Sequence, residues 1–175
     1  MGENEQWDPL SCGKEASPEV ISNAQKREIR NILKSYVGMY DSFSELIQNA
    51  MDSVDRRAGQ NENSDYQKKI WLTISLAKNS FSITDNGVGF AADEFKTFLA
   101  PNISFKDPQG SRGNKGVGAT YLAYGFDFFQ FGTKGEGGEL SGELLDARTW
   151  VDDTTGKVAR PMVCSTKELD SCFSS

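Results

Sequence analysis

Residues 70–90 read IWLTISLAKNSFSITDNGVGF, and how they are read settles what kind of fold the chain can adopt. Residues 70–76 are β-branched and alternate, AKN has the composition of a tight turn, and FSIT returns as a second strand. The stretch DNGVGF at 85–90 then breaks the strand abruptly. The predicted unit is therefore an antiparallel hairpin that ends on an acidic, glycine-rich turn.

Upstream of the hairpin the apolar period lengthens. Ile29, Ile32, Leu33 and Tyr36 recur at helix spacing from Glu19 onward, and Gly38 marks a stop. A second helix is expected after a cap at Asp41 or Ser42, with Glu45 in its first turn in the manner of a capping box. Its apolar residues are Leu46, Ile47, Ala50, Met51 and Val54, and Gly59 is expected to lie beyond its end. Residues 59–69, GQNENSDYQKK, form a polar loop.

Downstream, Ala92–Ala100 reads as a short helix ended by Pro101, and residues 101–116 as a long loop rich in Gly, Asn, Asp, Pro and Ser. Ala119–Tyr124 is expected as helix closed by Gly125, FDFFQF at 126–131 as strand, and TKGEGGE as a hairpin connection. LSGELLDA and RTWVDD are expected to add further strand, whereas the tail after Pro161 carries no pattern. Helix, helix, hairpin, helix, loop, helix and strands make an α/β (α+β) chain. The expected architecture is a two-layer sandwich, with helices on one face of a mixed, mostly antiparallel sheet.

Composition narrows the chemistry. The chain has 175 residues, about one domain, with 37% apolar and 25% charged residues and a formal net charge of −6. An acidic balance gives no support to direct nucleic-acid binding or to an anionic membrane surface. No apolar run approaches the roughly 18 residues of a membrane span, and MGENEQWDPLSCG lacks the shape of a signal peptide. There is no histidine, which removes Ser-His and Cys-His nucleophile pairs, imidazole metal ligands and a phosphorylatable histidine. The three cysteines, Cys12, Cys164 and Cys172, form no C-x-x-C pair, and a reducing, cytoplasmic setting is the simpler reading.

Three stretches can carry chemistry. In ELIQNAMD at 45–52, Glu45, Asn49 and Asp52 stack at i, i+4 and i+7, opposite the apolar face. Taken alone this is an ordinary solvated face, although asparagine is a mediocre helix former that a surface has no need to choose. In ITDNGVGF at 83–90, Asp85 ends an apolar strand, and Gly87 and Gly89 follow at a spacing of two. A D-N-G turn is commonly only a turn, but two such glycines let a flat ligand lie against bare backbone beside a fixed carboxylate. In SFKDPQGSRGNKGVGAT at 104–120, glycines 113, 116 and 118 run into a helix, with Lys106, Arg112 and Lys115 nearby. No P-loop or dinucleotide fingerprint can be laid over it, yet free N–H groups at a helix start bind anions.

Together and in this order, the three stretches resemble the motif boxes of the gyrase, heat-shock chaperone, histidine kinase and MutL (GHKL) ATPase superfamily. The resemblance covers residues 20 to about 145. With Asp52 following Asn49, it is closer to the gyrase–chaperone–MutL–MORC branches than to histidine kinases. It implies a Bergerat-type ATP-binding fold, with a polar arm at 1–18, the ATP-binding domain at 19–160 and a tail at 161–175. Glu45 matches the family's general base, Asn49 its Mg²⁺ ligand and Asp85 the carboxylate that accepts from the adenine amino group. Gly87 and Gly89 match the close approach to base and ribose. Asp52, Lys106, Gly113, Lys115, Gly116, Val117, Gly118 and Thr120 fall in the remaining nucleotide-binding positions. ATP and Mg²⁺ are the implied cofactors, with lid closure and homodimerisation through the arm and lid as the implied motion. A module that senses nucleotide without turnover is the alternative.

Two departures accompany the resemblance. The later Gly-Thr strand box is not found, since Gly132-Thr133 comes early and reads as a hairpin shoulder. No following domain supplies the catalytic lysine that gyrase and MutL relatives use, so the chain reads as a fragment of a larger protein or as a reduced domain, with the lysine coming from further domains or a partner subunit.

Overall fold

A computed structural model describes residues 17–60, 65–101, 117–135, 138–169 and 173. The described elements run α1 (Pro18–Ser35), α2 (Asp41–Gln60), β1 (Ile70–Ser75), β2 (Ser80–Asp85), α3 (Ala92–Thr97), α4 (Gly118–Tyr124), β3 (Phe128–Gly135), β4 (Gly138–Leu145) and α5 (Ala147–Asp152). The class is α+β, as expected. The strands form two separate antiparallel pairs, β1–β2 and β3–β4, rather than one sheet.

The β1–β2 hairpin is antiparallel as expected, with Ile70 opposite Asp85 and Ser75 opposite Ser80. Its turn is held by Asn79, whose N–H donates to the Leu76 carbonyl at 3.3 Å. The backbone of Asn79 sits at φ 47°, a left-handed conformation that asparagine tolerates better than most residues. The hairpin meets the rest of the molecule mainly through β2, where Phe81 stacks on Phe43 of α2 at 4.2 Å. Along β1, Ile70, Trp71, Leu72 and Ile74 stay exposed.

The core lies between the helices and the second hairpin. Leu99, Ala123, Leu144 and Ala147 are buried together, with Phe98, Tyr124, Phe129 and Phe131 packed around them. Ile29, Trp150 and Val151 form a second cluster, which Tyr124 joins to the first. Phe95 and Phe98 fasten α3 to this core through ring contacts with Phe131 at 5.0 and 5.2 Å.

Several expectations are corrected. RTWVDD is not strand: all but its last residue lies within α5, where Ala147, Trp150 and Val151 recur at i, i+3 and i+4 and are all buried. The cap that starts this helix is borrowed. Asp127 accepts from the Thr149 N–H at 2.7 Å and from its hydroxyl at 3.1 Å. At the other end, Lys26 donates to the Asp153 carbonyl at 2.9 Å and Arg30 to the Val151 carbonyl at 2.7 Å, cations placed where a helix leaves carbonyls unpaired. Second, α3 stops at Thr97 rather than Ala100, and Gly59 falls inside α2 rather than beyond it. Third, β3 runs through Thr133 to Gly135, so Gly132-Thr133 is strand and not a hairpin shoulder. Fourth, the segment after Pro161 is not patternless: Cys164 and Glu143 exchange N–H···O bonds of 2.8 and 3.0 Å along β4.

Asp153 ends α5 and fixes the loop beyond it. Its carboxylate accepts from the Thr155 hydroxyl at 2.6 Å, the Thr155 N–H at 2.8 Å and the Val158 N–H at 3.1 Å. These bonds, the Thr155 hydroxyl foremost, hold its carboxyl well below the ordinary value of 3.8. A depressed carboxyl adds stability that is complete above the unfolded value and lost as pH falls below it. Asp153→Asn is therefore expected to lose less stability than the wild type between pH 7 and pH 3, as measured by urea unfolding at both.

Candidate functional site

α2 supplies the spine of the site. The faces of this helix differ in part from the sequence reading: Ala50 and Val54 are buried as expected, but Ile47 and Met51 are each 37% exposed and Asp52 only 6% exposed. The polar series is thus turned inward and is not a solvated face. Glu45 and Asn49 are half-buried on the same side. At 1.5 Å per residue, Glu45 and Ser53 stand about 12 Å apart along the axis.

At the Glu45 end the helix meets Tyr36 and α4. The Tyr36 hydroxyl donates to Glu45 Oε1 at 2.7 Å, so Glu45 does not act in a capping box. Asp41, at the start of α2, accepts from the Gly38 N–H at 2.7 Å. The Tyr36 ring lies flat on Tyr121 of α4, with centroids 3.9 Å apart and planes 8° from parallel. Burial, then the hydrogen bond and charge of Glu45, push the Tyr36 hydroxyl well above the ordinary tyrosine range. Burial also raises Tyr121. Gly118 packs directly on the Glu45 carboxylate, and a methyl group there would collide with it, Cδ included at 2.8 Å.

At the other end, β2 delivers Asp85 into the turn. Asp85 Oδ1 accepts from the Gly87 N–H at 2.8 Å, and Oδ2 has no hydrogen bond among the described residues. The turn is held from outside by residues the sequence reading passed over. Asn86 Oδ1 accepts from the Lys69 N–H at 2.8 Å and Asn86 Nδ2 donates to the Gln67 carbonyl at 2.8 Å. Arg57 of α2 donates to the Asn86 carbonyl at 2.7 Å, its guanidinium 5.0 Å from the centre of the Tyr66 ring.

The two glycines of the turn serve close packing against protein. A Cβ at Gly87 would collide with the Ser53 hydroxyl and lie 2.5 Å from the Ser53 carbonyl carbon. At Gly89, φ is +69° and a Cβ would lie 2.7 Å from Thr133 Oγ1 and 2.8 Å from the Lys134 carbonyl oxygen. Gly87→Ala is therefore expected to destabilise the fold by about 1–3 kcal/mol, because backbone cannot yield as a side-chain tip can. Gly59→Ala in α2 meets nothing within 4 Å and is expected to be neutral or stabilising by up to about 1 kcal/mol. Chemical denaturation of the two variants checks both signs.

In the sequence, Thr133 reads with Gly132 as a hairpin shoulder. It is 5% exposed on β3, and its hydroxyl oxygen accepts from the Phe90 N–H at 2.8 Å. That bond places it beside Gly89 of the turn that follows Asp85. Spacing along the chain hides this contact.

The remaining candidates divide between near and undescribed. Val117 and Gly118 stand at the start of α4, and Thr120 is fully buried with its hydroxyl 3.4 Å from the Leu99 carbonyl. Lys106, Gly113, Lys115 and Gly116 lie outside the described residues, as does most of the arm. Among the described residues, no three His, Cys, Asp or Glu side chains gather as a metal site. The donors present at α2 are oxygens, and they fit a hard cation that takes few protein ligands and keeps its waters, as Mg²⁺ does.

A cavity of about 330 Å³ lies elsewhere, between α1 and α5, lined by Arg30, Leu33, Lys34, Arg148, Asp152 and Thr154. Its cations are largely committed: Arg148 pairs with Asp152 at 2.7 Å and Arg30 holds the end of α5. No helix among the described residues is long and apolar enough to cross a membrane. No protein-family model matches the chain, and no curated protein matches it.

Proposed function

We propose that the chain binds an adenine nucleotide along α2 and hydrolyses ATP with Mg²⁺. The observation that carries this reading is the arrangement of α2. Glu45, Asn49 and the buried Asp52 form an inward polar line, with the Asp85 turn at one end and α4 at the other. Asp85 keeps one carboxylate oxygen without a hydrogen bond among the described residues, which supports its reading as the acceptor for a base edge. A second carboxylate, Glu45, lies about 12 Å along the helix axis from Ser53, beside Gly118 at the start of α4.

In this reading, the adenine amino group donates to Asp85, and the phosphates point toward Glu45 and the start of α4. Asn49, one turn from Glu45, would hold Mg²⁺, which when bound neutralises phosphate charge. Glu45 orients a water and takes its proton as the water oxygen bonds to the γ-phosphorus. The bond from that phosphorus to the β–γ bridging oxygen breaks, releasing ADP and inorganic phosphate. Lid closure, dimerisation and a lysine from another domain or subunit are part of the same proposal.

Titration calorimetry with ATP, ADP and GTP, each with and without Mg²⁺, tests the binding part. The expected result is adenine-selective binding that Mg²⁺ strengthens for ATP. Equal affinity for GTP contradicts the role given to Asp85. Tight ATP binding without phosphate release, with full-length protein and partner present, would instead make the chain a nucleotide sensor.

A further inference from the structure

We infer that Tyr36 is a positioning residue for Glu45, and that its stack on Tyr121 ties the orientation of that carboxylate to the placement of α4. The inference rests on the reading of Glu45 as the base.

The surroundings of Tyr36 are unlike those of its neighbours. It follows α1 directly and caps it, its N–H reaching the Leu33 carbonyl at 3.3 Å. The next residues turn outward: Val37 is 92% exposed, Met39 84% and Tyr40 69%. Tyr36 alone in this connection points inward, onto a carboxylate and a second aromatic ring. A 2.7 Å bond from a phenol to a carboxylate is a charge-assisted contact, stronger than one between neutral groups. It needs the phenol protonated, and the burial and negative charge around Tyr36 keep it so.

Glu45 is thereby gripped from two sides. Oε1 is held by the Tyr36 hydroxyl and Oε2 packs on Gly118 at the start of α4. Tyr121 is one turn further along that helix, flat against the Tyr36 ring. A shift of α4 must therefore disturb both contacts on the carboxylate together. A surface tyrosine serving only the end of α1 would need neither contact.

Tyr36→Phe keeps the ring and its stack and removes only the hydroxyl. Its expected effect is a fall in kcat of roughly 10-fold or more, with KM for ATP and thermal stability close to wild type. Tyr121→Leu should lower kcat in the same way, and the double variant should be little worse than the more severe single one, since both act through Glu45. A separate readout needs no turnover. In protein carrying ¹³C at the tyrosine ζ carbon, Glu45→Gln is expected to lower the titration of Tyr36 toward the ordinary range while leaving Tyr124 unmoved. Wild-type kcat in Tyr36→Phe, or a Tyr36 titration indifferent to Glu45→Gln, overturns the inference. A wild type with no turnover, assayed as full-length protein with its partner present, overturns the hydrolysis reading and the positioning role together. A wild type that hydrolyses ATP and is matched by Tyr36→Phe overturns the inference alone.

Discussion

Glu45→Gln is expected to bind ATP and Mg²⁺ as the wild type does and to release phosphate about 10²–10⁴-fold more slowly, the usual contribution of a general base. Glutamine keeps the length of the side chain and can still accept from the Tyr36 hydroxyl, so packing against Gly118 and Tyr36 is preserved. What it loses is the ability to take a proton. Asn49→Ala should behave differently and lose the Mg²⁺-dependent part of the ATP affinity. Phosphate release and calorimetry on the same preparations separate the two. A Glu45→Gln variant that hydrolyses ATP as fast as an active wild type would remove Glu45 from the mechanism.

The second large effect is expected at Asp85. Asp85→Asn should weaken ADP binding by about 1.5–3 kcal/mol, the worth of a hydrogen bond to a charged group, and reduce the preference for adenine over guanine. The same substitution leaves Oδ1 in place to accept from the Gly87 N–H, so the turn itself should keep its shape. That separates it from Gly87→Ala, which attacks the turn through Ser53. Unchanged ADP affinity in Asp85→Asn would contradict the adenine role.

The parts of the fold legible in the sequence are those whose signals are local. The period of α1 and α2, the alternation of the first hairpin and the stop at Gly125 all lie within a few residues of what they specify. α5 was not legible because its cap comes from Asp127, and its last carbonyls are covered by Lys26 and Arg30 of α1. Read without those partners, RTWVDD has the β-branched look of a strand. The apolar series of α2 was legible only in part. Ala50 and Val54 are buried as expected, whereas Ile47 and Met51 lie toward solvent and Asp52 is buried beside the apolar residues. Periodicity finds the apolar side of a helix and does not fix the edges of the stripe that the rest of the chain covers.

The candidate site divides along the same line. Glu45, Asn49 and Asp85 can be singled out in the sequence, by their order and spacing and by the resemblance these carry. Tyr36, Thr133, Asn86 and Arg57 were not, because each acts across the fold: Tyr36 on Glu45, Thr133 on Phe90, and Arg57 and Asn86 on the backbone of the turn and its neighbouring loop. No pattern in one dimension joins residue 133 to residue 90.

The most direct test of the account maps where nucleotide sits. ADP titrated into ¹⁵N-labelled protein should shift the amide signals of Asn49, Gly87, Gly89 and Phe90 most, with Thr133 moving alongside them. Signals from the α1–α5 groove around Lys34 and Arg148 should stay in place. Shifts confined to that groove, or none at millimolar ADP, would contradict a nucleotide site along α2.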